Sequence, residues 1–175
     1  RQTLGMFIDC EYPMIATARL SGMMLDYPKL LDKGIGGLRS DLQEKLKEQP
    51  DNNFYKAGIQ CLDIFVDCAS HLQQDAREQM ASANMKRQKE LERICQALEN
   101  IKEKKPGTFH EAMQLFWLFA LLAGVINYGR LDDYLGPYLV ADLKSGRLTD
   151  EEAYRYIHSL WTMIENRRTT VNGRI

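Results

Sequence analysis

Few side chains in this sequence could do chemistry, and their spacing already narrows what they can do. His71, His110 and His158 stand far apart, and none is paired with cysteine or carboxylate at a spacing suited to tetrahedral zinc. Only Cys68 and His71 share a helix face, so no metal site is expected. Cys61 and Cys68 fall on one apolar stripe and read as small core hydrophobes. A reactive thiol would need an electropositive, partly exposed setting. Cys10 and Cys95 complete the set, and four scattered cysteines without a signal peptide predict reduced thiols in the cytoplasm. The turn Gly34-Ile35-Gly36-Gly37 joins two helices without a preceding strand, and no phosphate-loop or nucleophile-elbow pattern occurs, so nucleotide binding gains no support.

One stretch breaks the pattern around it. Asn127-Tyr128-Gly129-Arg130-Leu131-Asp132-Asp133-Tyr134 is a polar and aromatic loop directly after the most apolar segment. Arginine beside aspartate there can anchor the loop as a buried ion pair or present a fixed charge to a ligand, and spacing alone favours the anchor.

These residues need elements to hold them, and the periodicity is helical throughout. Helices are expected over Asp26–Lys33, ended by Gly34, and over Gly37–Lys47, with Pro50 to Asn53 as a break. A long helix follows, whose predicted inner stripe is Phe54, Ala57, Cys61, Phe65, Cys68, Leu72, Ala76 and Met80. The next, Lys86–Lys102, turns Leu91, Ile94, Cys95, Leu98 and Ile101 inward and a charged run, Lys86 to Arg93, to water.

Thr108 and Glu111 form a capping box that opens a core helix, apolar all round from Leu115 to Ile126 yet short of the roughly 20 residues of a membrane span. A short element around Pro137–Lys144 ends at Ser145-Gly146, and a second box, Thr149 to Glu152, opens a last helix. That helix is expected to pack Ala153, Tyr156, Ile157, Leu160, Trp161 and Ile164 inward. The result is an all-α chain forming a single helical domain over 1–175, with 1–25 and 168–175 irregular or extended; a short helix at Met14–Leu20 fits the first stretch. Both ends look cut.

With 175 residues, 45% hydrophobic and 27% charged at net charge -1, the composition is that of an ordinary soluble domain. It offers no field to attract nucleic acid or a membrane surface.

Three stretches, spread over residues 21 to 171, resemble the large domain of pyruvate formate-lyase-like glycyl radical enzymes. Asp26-Tyr27-Pro28-Lys29-Leu30-Leu31-Asp32-Lys33-Gly34-Ile35-Gly36-Gly37-Leu38 is similar to the family's D-Y-x-x-L-L-x-x-G-L-x-G. Phe54-Tyr55-Lys56-Ala57, then Arg87, Glu90 and Leu91, then Thr108-Phe109-His110-Glu111-Ala112-Met113-Gln114 follow the family's order, the last resembling T-F-x-E-A-L-Q. Tyr128-Gly129-Arg130-Leu131-Asp132-Asp133-Tyr134-Leu135-Gly136-Pro137-Tyr138 looks like G-R-x-D-Q-Y-L-x-P-Y and is the strongest signal.

The resemblance implies a helical segment packed around a ten-stranded α/β barrel largely absent here. It also implies radical chemistry: a backbone glycyl radical, installed by an iron-sulfur activating enzyme using S-adenosylmethionine, passes the unpaired electron to a cysteine that abstracts hydrogen from a small organic substrate. Packed helices would shield such a radical from oxygen and solvent. The family's catalytic cysteine and its radical glycine have no match in this chain, which is therefore expected to bind no cofactor and to be silent alone. Its expected partners are the remainder of the enzyme, the activating enzyme, the small-molecule substrate and, in a homodimer, a second copy. The resemblance leaves Asn127, Arg130 and Asp132 as the residues that reach substrate or brace its loop. Asn127 stands where diol- and choline-acting relatives carry serine, their histidine before D-Y is absent, and Asp133 replaces the common glutamine, which points to a separate branch. The alternative is a free-standing, non-catalytic helical scaffold or interaction protein.

Overall fold

The structure is a computed structural model that describes residues 24–125 and 127–166. The segments expected to be irregular or extended, the short helix at Met14–Leu20 and Cys10 lie wholly or mainly outside the described residues. Among those described the fold is all-α: α1 (Tyr27–Glu48), α2 (Asn53–Met80), α3 (Met85–Ile101), α4 (Phe109–Leu122), α5 (Leu131–Ser145) and α6 (Asp150–Asn166). The extended pairing among them is an isolated parallel bridge between Met24 and Asn127. No helix among the described residues is long and apolar enough to cross a membrane.

In α1, Asp26 accepts from the Lys29 amide at 3.1 Å and so caps the helix. The expected stop at Gly34 is a kink (φ 65°, ψ 179°) that leaves two helical halves in one element. The Tyr138 hydroxyl donates to the Leu31 carbonyl at 3.1 Å, and the Gly36 amide donates to Glu103 O at 3.1 Å. A Cβ on Gly34 would stand 2.7 Å from the Lys105 backbone, and one on Gly36 would meet the Glu103 carbonyl. The glycines thus admit the chain that follows α3 against α1.

The inner face of α2 differs from the expected stripe. Leu62, Phe65, Ala69, Gln73 and Ala76 are buried, whereas Phe54 is 78% exposed and Cys61 and Leu72 are exposed. Counting apolar residues placed the stripe one flank off because the buried line includes a polar member. The Gln73 amide donates to Cys95 O at 2.9 Å and its carbonyl accepts from Lys102 Nζ at 2.9 Å, which offsets the cost of burying it. On α3, Leu91, Cys95, Leu98 and Ile101 are buried and Ile94 half-buried, as the periodicity predicts.

Thr108 Oγ1 caps α4 by accepting from the Glu111 amide at 3.2 Å. The Glu111 carboxylate reaches one residue further back than a standard box, accepting from the Gly107 amide at 2.7 Å, and its other oxygen accepts from Asn100 at 2.7 Å. The helix is central: Phe109, Ala112, Met113, Leu115, Phe116, Leu118 and Ala120 are buried, and only the last turn, Leu121 and Leu122, emerges. Tyr27 meets Phe116 edge-on at 5.0 Å and stacks on Tyr134 at 5.1 Å, tying α1, α4 and α5 together.

The element after the loop starts at Leu131, ahead of the expected Pro137, and carries that proline inside the helix. Its end is as expected, at Gly146 in the left-handed conformation. In α6 the second box is complete, Thr149 and Glu152 exchanging bonds of 3.2 Å. Ala153 and Leu160 are buried and Tyr156, Ile157 and Ile164 half-buried, but Trp161 is 56% exposed, one position off the Ile157–Leu160–Ile164 line. The helix meets the body through side chains: Tyr156 stacks on His110 at 5.0 Å, and Glu152 accepts from Arg93 at 3.2 Å.

Candidate functional site

The loop between α4 and α5 is built on the apolar body beneath it. Val125 is buried, and the Tyr128 ring packs on Phe116 at 5.6 Å and leans on Trp117 at 6.2 Å. The Tyr134 hydroxyl, from the first turn of α5, donates to the Tyr128 carbonyl at 2.7 Å. Burial pushes that phenol far above its ordinary range, so it stays a donor. Asn127 pairs with Met24 by backbone and accepts from the Gly129 amide at 3.2 Å. Gly129 lies at φ 61°, and a Cβ there would meet the Met24 sulfur, so both backbone conformation and space call for glycine. Asn127, Gly129 and Arg130 are therefore held on a short, braced turn, with the Asn127 and Arg130 side chains in solvent.

Arg130 and Asp132 pair through two parallel bonds, Nε to Oδ1 at 2.8 Å and NH2 to Oδ2 at 2.6 Å. Their hydrogen bond lowers Asp132 to about 2 and raises the arginine further above its usual value. The side chains are 79% and 68% exposed, so the expectation of a buried anchoring ion pair is corrected: solvent screens this pair, and the aromatic packing below holds the loop. Asp132 and Asp133 also sit in the first turn of α5, where the helix dipole favours negative charge. The loop brings Asn127, Arg130 and Asp132 onto one exposed turn that offers a planar cation, a carboxylate and an amide.

The anchoring ion pair lies elsewhere, and spacing did not single it out. Asp142 on α5 is buried, accepts from the Phe109 amide at 2.8 Å and takes Arg147 Nε and NH2 at 2.9 and 2.8 Å. It thereby fastens the start of α4 to the end of α5. An acid at a position facing the core, with an arginine five residues on, was the available signal.

The thiols divide differently from expectation. Cys95 is buried and donates to Gln73 O at 3.6 Å in a small cluster with Ala76 and Leu91. Cys61 is exposed and Cys68 half-buried, because the inner face of α2 turns away from both. Among the described residues no group of three or more His, Cys, Asp or Glu could hold a metal. None of these three cysteines belongs to the loop.

The pyruvate formate lyase-like family matches residues 8–174. An isethionate sulfite-lyase of Oleidesulfovibrio alaskensis is 28% identical over 78% of this chain and 18% of its own length. A (2S)-3-sulfopropanediol dehydratase of Klebsiella oxytoca is 30% identical over 82% of this chain and 19% of its own. Among solved structures, a glycyl radical enzyme from Archaeoglobus fulgidus superposes with a TM-score of 0.69 at 26% identity, covering 77% of this chain and 19% of that one. The chain thus spans about a fifth of the length of these relatives. With that match, the all-helical body and the braced Gly129-Arg130 turn, the chain belongs to the pyruvate formate lyase-like family.

Proposed function

We propose that these residues form one helical domain, a segment of a larger glycyl radical enzyme that cleaves a carbon–heteroatom bond of a small organic substrate. The observation that carries this reading is the family match over nearly the whole chain, at about a fifth of the relatives' length. Relatives named as a sulfite-lyase and a dehydratase favour elimination of a heteroatom group over acyl transfer from pyruvate. The radical chemistry is supplied by a glycine and a cysteine outside this segment and by an activating enzyme, in the cytoplasm, and the segment alone is inactive. Within it, Arg130 and Asn127 contact the substrate or its loop and Asp132 fixes the guanidinium plane. The bidentate geometry supports this, since it presents the outer edge of the arginine in a set orientation.

The test is the native gene product, isolated without oxygen, activated, and examined for a glycyl radical signal and for elimination from small hydroxylated substrates. The reading expects a polypeptide several times longer than 175 residues, a radical signal, and turnover that Arg130→Ala abolishes while leaving the signal intact. A native product of 175 residues with no radical would overturn it and leave a non-catalytic helical scaffold.

A further inference from the structure

Three helices turn faces of regular spacing toward one groove of about 550 Å³. α3 contributes Lys86, Lys89, Glu90 and Arg93, α4 contributes His110, Met113, Gln114 and Trp117, and α6 contributes Glu152, Arg155, Tyr156, Ser159 and Met163. Each set follows the three-and-four spacing that puts residues on one helix face. The volume is that of a small-molecule site, which typically falls between about 300 and 1,000 Å³.

The floor and the rim differ in chemistry. Ile94, Met113, Trp117, Leu160 and Met163 make an apolar floor, with the Tyr156–His110 stack beside it. The rim carries Lys86, Arg87, Lys89, Arg93 and Arg155 against Glu90 and Glu152, a local excess of three positive charges in a chain whose net charge is -1. Arg87 is paired with Glu90 at 3.0 Å and Arg93 with Glu152 at 3.2 Å. Lys86, Lys89 and Arg155 have no carboxylate partner among the described residues and supply the excess. Read along the sequence, Lys86 to Arg93 looks like a solvated face; folded, it forms one bank of an apolar trough.

We propose that the groove between α3, α4 and α6 binds an organic anion with an apolar body, the body on the Trp117–Met163 floor and the acidic group toward Lys89 and Arg155. Apolar burial supplies affinity, and the cationic rim selects an anion and sets its direction. The site is separate from the Asn127–Asp132 turn, yet Trp117 forms a wall of one and leans on Tyr128 of the other.

The test is calorimetric titration of the native gene product, whatever its length, with 1-naphthyl phosphate, 1-naphthol and inorganic phosphate. Naphthyl phosphate is expected to bind one per chain, about tenfold more tightly than either half-probe, with affinity falling as salt rises. Arg155→Glu and Lys89→Glu, exposed changes that spare the core, are each expected to weaken it roughly three- to tenfold. Equal binding of naphthol shows an apolar patch only, and equal binding of phosphate an adventitious ion only; either overturns the proposal. So does an absence of binding, including the case in which further polypeptide fills the groove, or charge reversals that change nothing.

Discussion

Asp142 and Asp132 show how burial separates two aspartate–arginine pairs, each joined through the arginine Nε and NH2. Asp142 is buried with both oxygens engaged, so Asp142→Ala strands the Phe109 amide and leaves Arg147 without its partner. The expected cost is about 3 kcal/mol, read as a lower urea midpoint with an unchanged slope. At the exposed pair, Asp132→Ala is expected to leave the midpoint where it was, and a comparable loss there would contradict the solvent-screened reading. Because the arginine holds Asp132 near 2, the charge pattern of the turn persists through the whole physiological range and is lost only in strong acid.

His110 gives a pH dependence with a definite sign. Burial against Tyr156 and the nearby Arg93 lower its pKa from 6.5, outweighing the opposing pull of Glu111. Between the folded value and 6.5 the unfolded chain therefore takes up more protons. Stability should be level with respect to this group above 6.5 and decline as pH falls toward the folded value. Urea midpoints at about pH 7.5 and about pH 5.5 check this: the drop should be smaller in His110→Gln, and equal drops would exclude the histidine as its source.

At the scale of elements, caps and glycines do what local sequence predicts. Thr149→Ala removes an acceptor from a complete box and should cost about 1 kcal/mol. Gly34→Ala should cost more, about 2 kcal/mol, because a positive φ and the Lys105 backbone both oppose a Cβ; thermal unfolding ranks the two. The two capping boxes, the Gly146 stop, the break at Gly34 and the inner face of α3 were legible because each rests on short-range chemistry, whereas the start of α5 at Leu131, ahead of Pro137, was not. Nor was the inner face of α2, since a buried Gln73 satisfied by Cys95 on α3 and by Lys102 just after it cannot be read from a count of apolar residues. Trp161 failed similarly, because aromatic character places a residue near the apolar line without saying on which side. Of the site, the sequence marked the turn and its residues but misplaced the anchor, because an aspartate two residues after an arginine and one five residues before another arginine both read as pairs until burial distinguishes them. The groove was invisible for a related reason: its banks come from three separate helices.

At the scale of the molecule, α4 is the axis on which the others are arranged, and α6 is attached mainly by side chains. Amide exchange should accordingly be slowest in α4 and fastest, among the helices, in α6; protection in α6 equal to that in α4 would refute the ranking. The Met24–Asn127 bridge joins the residue just before α1 to the turn just after α4. Parallel pairing always requires a crossover, and here the crossover is four helices long. Closing it needs those helices already in place, so it forms through a contact of very high sequence separation, the slowest kind to gain. The turn that carries Asn127 and Arg130 is thus the late event of refolding, and a fluorophore reporting on Tyr128 should lag behind the helical signal.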